Sequence, residues 1–195
     1  METMINLSPS LDIILGPMYS GKSTELLRRL NIFAEMGLKV LFINSDLDTR
    51  SENGFSTHNN LLKSNIKGIN FQKLKNLDIL LSDEIISNYQ IIGIDEAQMF
   101  DNLKIICLKL VETHNKKIII SGLNGDFKRN KFGQILDLIP YCDNISKLNP
   151  FCEICCKKYN TITPALFSKR IIDSQDFIVI GGKSSYIPVC RKCYL

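Results

Sequence analysis

The run Gly16-Pro17-Met18-Tyr19-Ser20-Gly21-Lys22-Ser23 has the spacing Gly-x4-Gly-Lys-Ser, which suits a backbone that must wrap around phosphate. Glycines at those places let consecutive N–H groups turn inward on phosphate oxygens, and a following helix adds the positive end of its dipole. Lys22 brings a mobile charge for the β and γ phosphates, and Ser23 a hydroxyl for Mg²⁺. An ordinary glycine-rich turn is the plain alternative. A second chemical pair, Asp95-Glu96, ends the apolar run Ile91 to Ile94. Asp95 reads as a carboxylate that holds the Mg²⁺ shell through water. Glu96, one residue on, would act on the nucleophile, as general base toward a substrate hydroxyl in a kinase or as the group that polarises water in an ATPase. The same two acids would also serve simply to cap the next helix.

Cys152-x2-Cys155 and Cys190-x2-Cys193 form a third set. Four thiolates in two such knuckles bind structural Zn²⁺ tetrahedrally, and a closed site leaves the metal no open position for chemistry. Buried thiols or a redox pair are the alternatives. Cys156 is a spare beside the first knuckle, Cys107 suits a core helix position, and Cys142 lies in unassigned chain. His58 and His114 are not spaced as ligands, and His114 is expected at the surface just past a helix.

These residues need elements to hold them. Leu11 to Leu15 predicts a buried strand that ends where Gly16-Pro17 turns the chain. A helix should start near Lys22, with Leu26, Leu27, Leu30, Phe33 and Met36 along its apolar face and Gly37 as its stop. Lys39 to Asn44 then predicts a second strand, parallel to the first through a right-handed crossover. The polar stretch from Asp46 to about Asn70 reads as loop with at most a short strand. Beyond it the pattern predicts a helix over Asp78 to Ser87, a strand over Gln90 to Ile94, a helix over Asn102 to Thr113 and a strand over Lys117 to Ser121. A further helix over Phe132 to Ile139 should be ended by Pro140. After Asn149-Pro150 the character changes to cysteines and short β-like runs, Asn160 to Phe167 and Phe177 to Ile180, which places a boundary near residue 148.

Composition narrows the class. A chain of 195 residues with 45% hydrophobic residues fits one main core with a small appendage. The formal charge of +4 suits a phosphate-bearing ligand. The basic pairs Arg28-Arg29, Lys116-Lys117, Lys128-Arg129 and Lys157-Lys158 are scattered, which argues against nucleic acid as partner. Seven cysteines, five of them between Cys152 and Cys193, fit a reducing compartment. With no leader-like start and no stretch of about 20 apolar residues, a cytoplasmic protein without a membrane partner is expected.

Taken together, the motifs resemble those of the type II thymidine kinases, the family of the animal cytosolic, poxviral and many bacterial enzymes. The resemblance rests on residues 16 to 26, Asp48-Thr49-Arg50, Ser56-Thr57-His58, Gly93 to Phe100, Gly122 to Arg129 with Phe132-Gly133, and Ser168-Lys169-Arg170. It continues through Val179 to Gly182, Tyr186, both cysteine pairs and Tyr194. It implies transfer of the ATP γ-phosphate to the 5′-hydroxyl of thymidine with Mg²⁺, a structural zinc and a homotetramer. By position in the family motifs, Glu96 would be the catalytic proton acceptor. Gly16, Pro17, Met18, Tyr19, Ser20, Gly21, Lys22, Ser23, Asp95, Glu96, Ala97 and Gln98 would face ATP and its metal. Asp48, Thr49 and Arg50 would border the triphosphate. Phe127, Phe177, Ile178, Val179, Ile180, Gly181 and Tyr186 would meet the nucleoside, with Leu123, Phe132 and Met18 as apolar walls. The implied architecture is an α/β P-loop NTPase core with a mainly parallel, RecA-like sheet (residues 1–148), followed by a zinc-binding lasso subdomain (149–195) that covers the nucleoside.

Met99, Asn124 and Asp126 depart from common forms of the family, and the loop between the cysteine pairs is slightly long. These departures keep open a kinase with a broader deoxynucleoside range. A zinc-containing nucleic-acid-binding ATPase is the alternative from another class. With two residues after Cys193, control through an extended carboxyl tail of the animal type is not expected.

Overall fold

Ser10–Gly16 forms β1, buried along its whole length, and leads through the phosphate-loop residues into α1, Lys22–Glu35. Here and below, the computed structural model describes residues 7–48, 68–173, 181–182 and 184–195. Leu26, Leu27 and Leu30 of α1 are buried, which is worth about 1.5–3 kcal/mol for each side chain removed from water. Gly37 (φ 81°) closes the helix. Its N–H donates to Ala34 O at 3.0 Å and the Leu38 N–H donates to Phe33 O at 3.1 Å, the paired bonds of a Schellman ending. Met36 therefore falls outside the apolar face and is 53% exposed, unlike the expectation from spacing.

The following elements are β2 (Val40–Ser45), β3 (Ile69–Leu74), α2 (Asp83–Asn88), β4 (Ile91–Ile94), α3 (Leu103–Leu108), β5 (Lys117–Leu123) and β6 (Asn144–Lys147). The six strands form one sheet in the order β3-β2-β4-β5-β1-β6, and every pairing is parallel. Side chains alternate between two cores. Leu11, Ile13, Leu15, Leu41, Ile43, Ile92, Ile94, Ile118 and Ile120 face the layer of Leu80, Phe100, Leu103 and Ile106, whereas Ile14, Val40, Phe42, Ile91 and Ile119 face α1. Covering both faces explains why these strands read as unbroken apolar runs. Gly93 interrupts β4 because a Cβ there would run into the Leu30 side chain, so its absence lets α1 lie close to the sheet.

Several elements differ from the expectations. The helix expected over Asp78 to Ser87 is split into a 3-10 turn, Asp78–Leu81, and α2. Ser82 is extended (ψ 147°) and its hydroxyl accepts from the Ile85 N–H, restarting the helix. The one expected to Thr113 changes at Lys109–Thr113 into a π turn, with His114 N–H donating to Lys109 O at 3.1 Å; His114 is half-buried. The one expected from Phe132 is a 3-10 helix, Ile135–Tyr141, that contains Pro140 instead of stopping before it. Gly133 at φ 59° keeps the preceding chain out of helical geometry. Edge strands β3 and β6 were not expected as such: each offers a weaker pattern than the central strands, and β6 is largely exposed.

After residue 148 come α4 (Glu153–Tyr159), β7 (Phe167–Arg170), β8 (Tyr186–Val189) and α5 (Arg191–Tyr194). β7 and β8 pair antiparallel, and Cys152, Cys155, Ala165, Val189 and Cys190 make a small cluster of their own. The stretch Asn160 to Phe167 is not a strand; it contributes a single bridge, Phe151 to Pro164, before β7 begins. Among the described residues no helix is long and apolar enough to cross a membrane.

Candidate functional site

All six strands of the main sheet run the same way, so the carboxyl ends of β1, β2, β4 and β5 open on one edge, where ligands bind in open α/β sheets. β5 separates the strand of the phosphate loop from the strand of Asp95. Gly21 lies at φ 81°, a left-handed conformation, as the residue before a 14-residue helix that has no side-chain cap. The first-turn N–H groups of α1 are thus left without a side-chain acceptor, the arrangement that favours an anion. Tyr19 is also left-handed at φ 66°. Gly16 has no room for a Cβ, which would meet Leu148 O and the Ser20 hydroxyl. The Lys22 ammonium is buried and donates to Pro17 O at 2.9 Å, so it lies folded over its own loop. The Ser20 hydroxyl is buried with no hydrogen-bond partner among the described residues, an orphan that a phosphate oxygen would satisfy. Met18 N–H donates to Ser168 Oγ of β7 at 2.9 Å, tying this loop to the carboxyl-terminal segment.

Register sets the acidic centre. Ile94 pairs with Ile120, so the next residues, Asp95 and Ser121, stand side by side. The Ser121 hydroxyl donates to Asp95 Oδ1, and the Ser23 hydroxyl of α1 donates to the same carboxylate. Asp95 is 3% exposed. Burial, and next the charge of Glu96, push its carboxyl up to about 6, while hydrogen bonds from Ser121, Ser23 and the Glu96 backbone pull the other way. A buried acid with two hydroxyls around it fits a divalent cation that would restore its ionised form. Glu96 is half-buried at φ 47° and starts a 3-10 turn, Ala97–Met99, whose Ala97 and Gln98 are buried. Gln98 Nε2 donates to Glu96 Oε2 at 2.6 Å, and Gln98 Oε1 accepts from Leu123 N at 3.0 Å. Gly122 and Gly133 close around it; a Cβ on either would strike Gln98.

Asp48 lies beyond the carboxyl end of β2, buried, with its carboxylate accepting from Asn44 Nδ2 at 3.2 Å and its carbonyl accepting from Lys73 Nζ at 3.0 Å. Thr49, Arg50, Ser56, Thr57 and His58 lie outside the described residues, as do Phe177, Ile178, Val179 and Ile180. Gly181 is half-buried ahead of β8. Phe127 sits in a turn knitted by buried Asp126, whose Oδ1 accepts from Lys128 N at 2.8 Å and Asn130 N at 2.7 Å. The Arg170 guanidinium covers the Phe127 ring at 3.7 Å and donates to Tyr186 Oη at 2.8 Å, bringing those two aromatics together. Ser121, Ser168 and Arg170 carry contacts that single-sequence reading did not assign. Only Ser168 and Arg170 left a trace, as part of a motif.

The four cysteines converge, with all Sγ atoms within 4.8 Å of one another. Cys155 lies 3.7 Å from Cys190 and 3.6 Å from Cys193, close to the roughly 3.8 Å edge of a tetrahedron built on ~2.3 Å zinc–sulfur bonds. Burial disfavours the Cys152 thiolate, but N–H groups of Cys155 and Cys190 and the neighbouring thiols outweigh it and bring the group down to about 7. The Cys193 thiol is pushed up to about 12 by burial and by the three other thiols. Four thiols that cannot all ionise together unaided are a donor set suited to a divalent soft metal. Cys107 is buried in the main core, and burial raises its thiol to about 12; Cys156 is exposed.

The chain is similar to known proteins over nearly its whole length. A family model described as thymidine kinase matches residues 9–194. A thymidine kinase of Choristoneura biennis entomopoxvirus is 41% identical over 199 residues, covering 95% of this chain and 96% of that protein. A thymidine kinase of Oryza sativa subsp. japonica is 36% identical over 197 residues, covering 100% of this chain and 69% of the relative. Among solved structures, the flagellar accessory protein FlaH from Methanocaldococcus jannaschii superposes with a TM-score of 0.50 at 15% identity, covering 75% of this chain and 74% of that one, a likeness of fold alone. With the family model matched from residue 9 to residue 194, this chain belongs to the thymidine kinase family.

Proposed function

We propose that this chain transfers the γ-phosphate of ATP to the 5′-hydroxyl of thymidine. The observation that carries the reading is the meeting of Ser23, Asp95 and Glu96 at one sheet edge, beside an uncapped helix start. Gly16 to Ser23 would wrap the triphosphate, with Lys22 leaving Pro17 O for the β and γ oxygens and Ser20 contributing its orphan hydroxyl. Ser23 and, through water, Asp95 would hold Mg²⁺. Such an ion, when bound, neutralises charge that develops on the transferred group. Glu96, fixed by Gln98, would accept the proton of the attacking hydroxyl. Phe127, Gly181 and Tyr186 would line the nucleoside. Cys152, Cys155, Cys190 and Cys193 would hold a structural zinc with no part in the reaction.

The family's name supports thymidine as the acceptor, and the motif resemblance implies the homotetramer and the cytoplasmic setting that we propose with it. Residues 1–148 would then form the ATP-binding domain and 149–195 the segment that covers the nucleoside. The test is a radiolabelled-ATP assay with thymidine, deoxyuridine, deoxycytidine and deoxyadenosine. Label on thymidine first is the expected result. Equal label on several nucleosides would favour a broader deoxynucleoside kinase, and label on none would overturn the reading.

A further inference from the structure

Phe127 is held by both its main chain and its side chain, and both holds come from the cysteine-rich end of the molecule. Tyr194, the residue after Cys193, donates its phenol O–H to Phe127 O at 2.8 Å. The tyrosine ring is itself fixed. It packs on Phe167 with centroids 5.2 Å apart, and the Arg129 guanidinium lies over it at 4.4 Å. Lys169 Nζ donates to the carbonyls of Cys193 and Tyr194 at 3.0 and 3.1 Å, closing the end of α5 on β7. The side-chain hold is the Arg170 guanidinium on the Phe127 ring, anchored in turn by Tyr186 of β8.

The turn that carries Phe127 is knit internally, because Asp126 binds Lys128 and Asn130 and the Arg129 N–H donates to Asp126 O at 3.0 Å. Where that unit sits is therefore decided by what grips it from outside. We infer that Tyr194 is a positioning residue: through its hydroxyl, the four-thiolate knuckle sets the depth of Phe127 and so the affinity for the nucleoside, while leaving the nucleotide loop alone. The inference rests on the proposed function for its substrate. The phosphate loop has its own ties, Lys22 to Pro17 and Ser23 to Asp95, and its bond to β7, Met18 N–H to Ser168 Oγ, does not involve the Tyr194 hydroxyl, so ATP binding should not follow loss of that hydroxyl.

Tyr194→Phe keeps the ring, its contact with Phe167 and its cation, and removes only the hydroxyl. The expected result is a KM for thymidine raised about threefold to tenfold, the range for loss of one neutral hydrogen bond, with KM for ATP, kcat and zinc content unchanged. Amide hydrogen exchange over residues 126–130 should quicken in the full-length, metal-loaded variant without substrates. Unchanged exchange and an unchanged thymidine KM would overturn the inference. So would a parallel rise of both KM values or loss of zinc, which would make Tyr194 merely structural. If the wild-type chain phosphorylates no thymidine, the proposed function fails, whereas the exchange measurement still decides whether Tyr194 holds Phe127.

Discussion

Gln98 and Glu96 are joined by a 2.6 Å hydrogen bond in which the amide nitrogen donates to Oε2. The bond orients the Glu96 carboxylate, which on the proposed reading accepts the proton of the substrate hydroxyl. Glu96→Gln should fold normally and lose about 10²–10⁴ in turnover, the usual worth of a general base. Steady-state rates beside thermal melting check this, and retained turnover would remove Glu96 from the role.

Gln98→Leu should behave differently. It removes the Gln98 bond to Glu96 and leaves the Leu123 N–H without its 3.0 Å acceptor, an unmade bond that costs ~1–3 kcal/mol. Both melting temperature and turnover should fall, with the turnover loss smaller than that of Glu96→Gln. A variant as active as the parent would show that Glu96 needs no such hold.

Gly93→Ala should destabilise the fold by about 1–3 kcal/mol through overpacking against Leu30. In the background of Leu30→Ala the same change should cost far less, because the clashing group is gone. Chemical denaturation of the four proteins completes the cycle. Equal costs in both backgrounds would mean that the glycine serves another purpose.

Glu25 accepts from Arg28 and Arg29, whose guanidinium groups hold its carboxyl down at about 2 against burial. A depressed folded-state value means that the stabilisation is present above the ordinary value of 4.5 and is lost as pH falls from there through about 2. The gap in stability between wild type and Glu25→Gln should therefore be on the order of 1 kcal/mol at neutral pH, screening included, and should close in acid. Urea melts at several pH values would reveal a gap that fails to close.

Removing metal with a strong chelator should release about one zinc ion per chain and expose residues 149–195 to protease before the six-stranded core. Mass analysis of the first fragments gives the order of cleavage. Cleavage first within the β1–α1 region would contradict a staple role for the cysteines.

The central elements were legible because their signals are local: β1, β2, β4 and β5 are apolar runs, and the Gly-x4-Gly-Lys-Ser spacing sits between a strand and a helix. The edges were not. β6, Asn-Ile-Ser-Lys, has one apolar residue, and its strand state comes from the register Asp12 to Asn144 with β1. The same limit hid Ser121, whose contact with Asp95 depends on how β4 and β5 align. Local breaks were missed where one residue decides the outcome, as with Ser82 restarting a helix and Gly133 delaying one.

On the kinase reading, β5 is a molecular ruler. Along its line the chain touches Asp95 through Ser121, reaches Gln98 through Leu123, and a few residues later carries Phe127. On the kinase reading, the spacing between donor and acceptor is thus written into one short stretch of backbone. Substituting side chains at Asn124 would tune that gap gently, whereas inserting or deleting a single residue between Leu123 and Phe127 would put the two ends of the reaction out of phase.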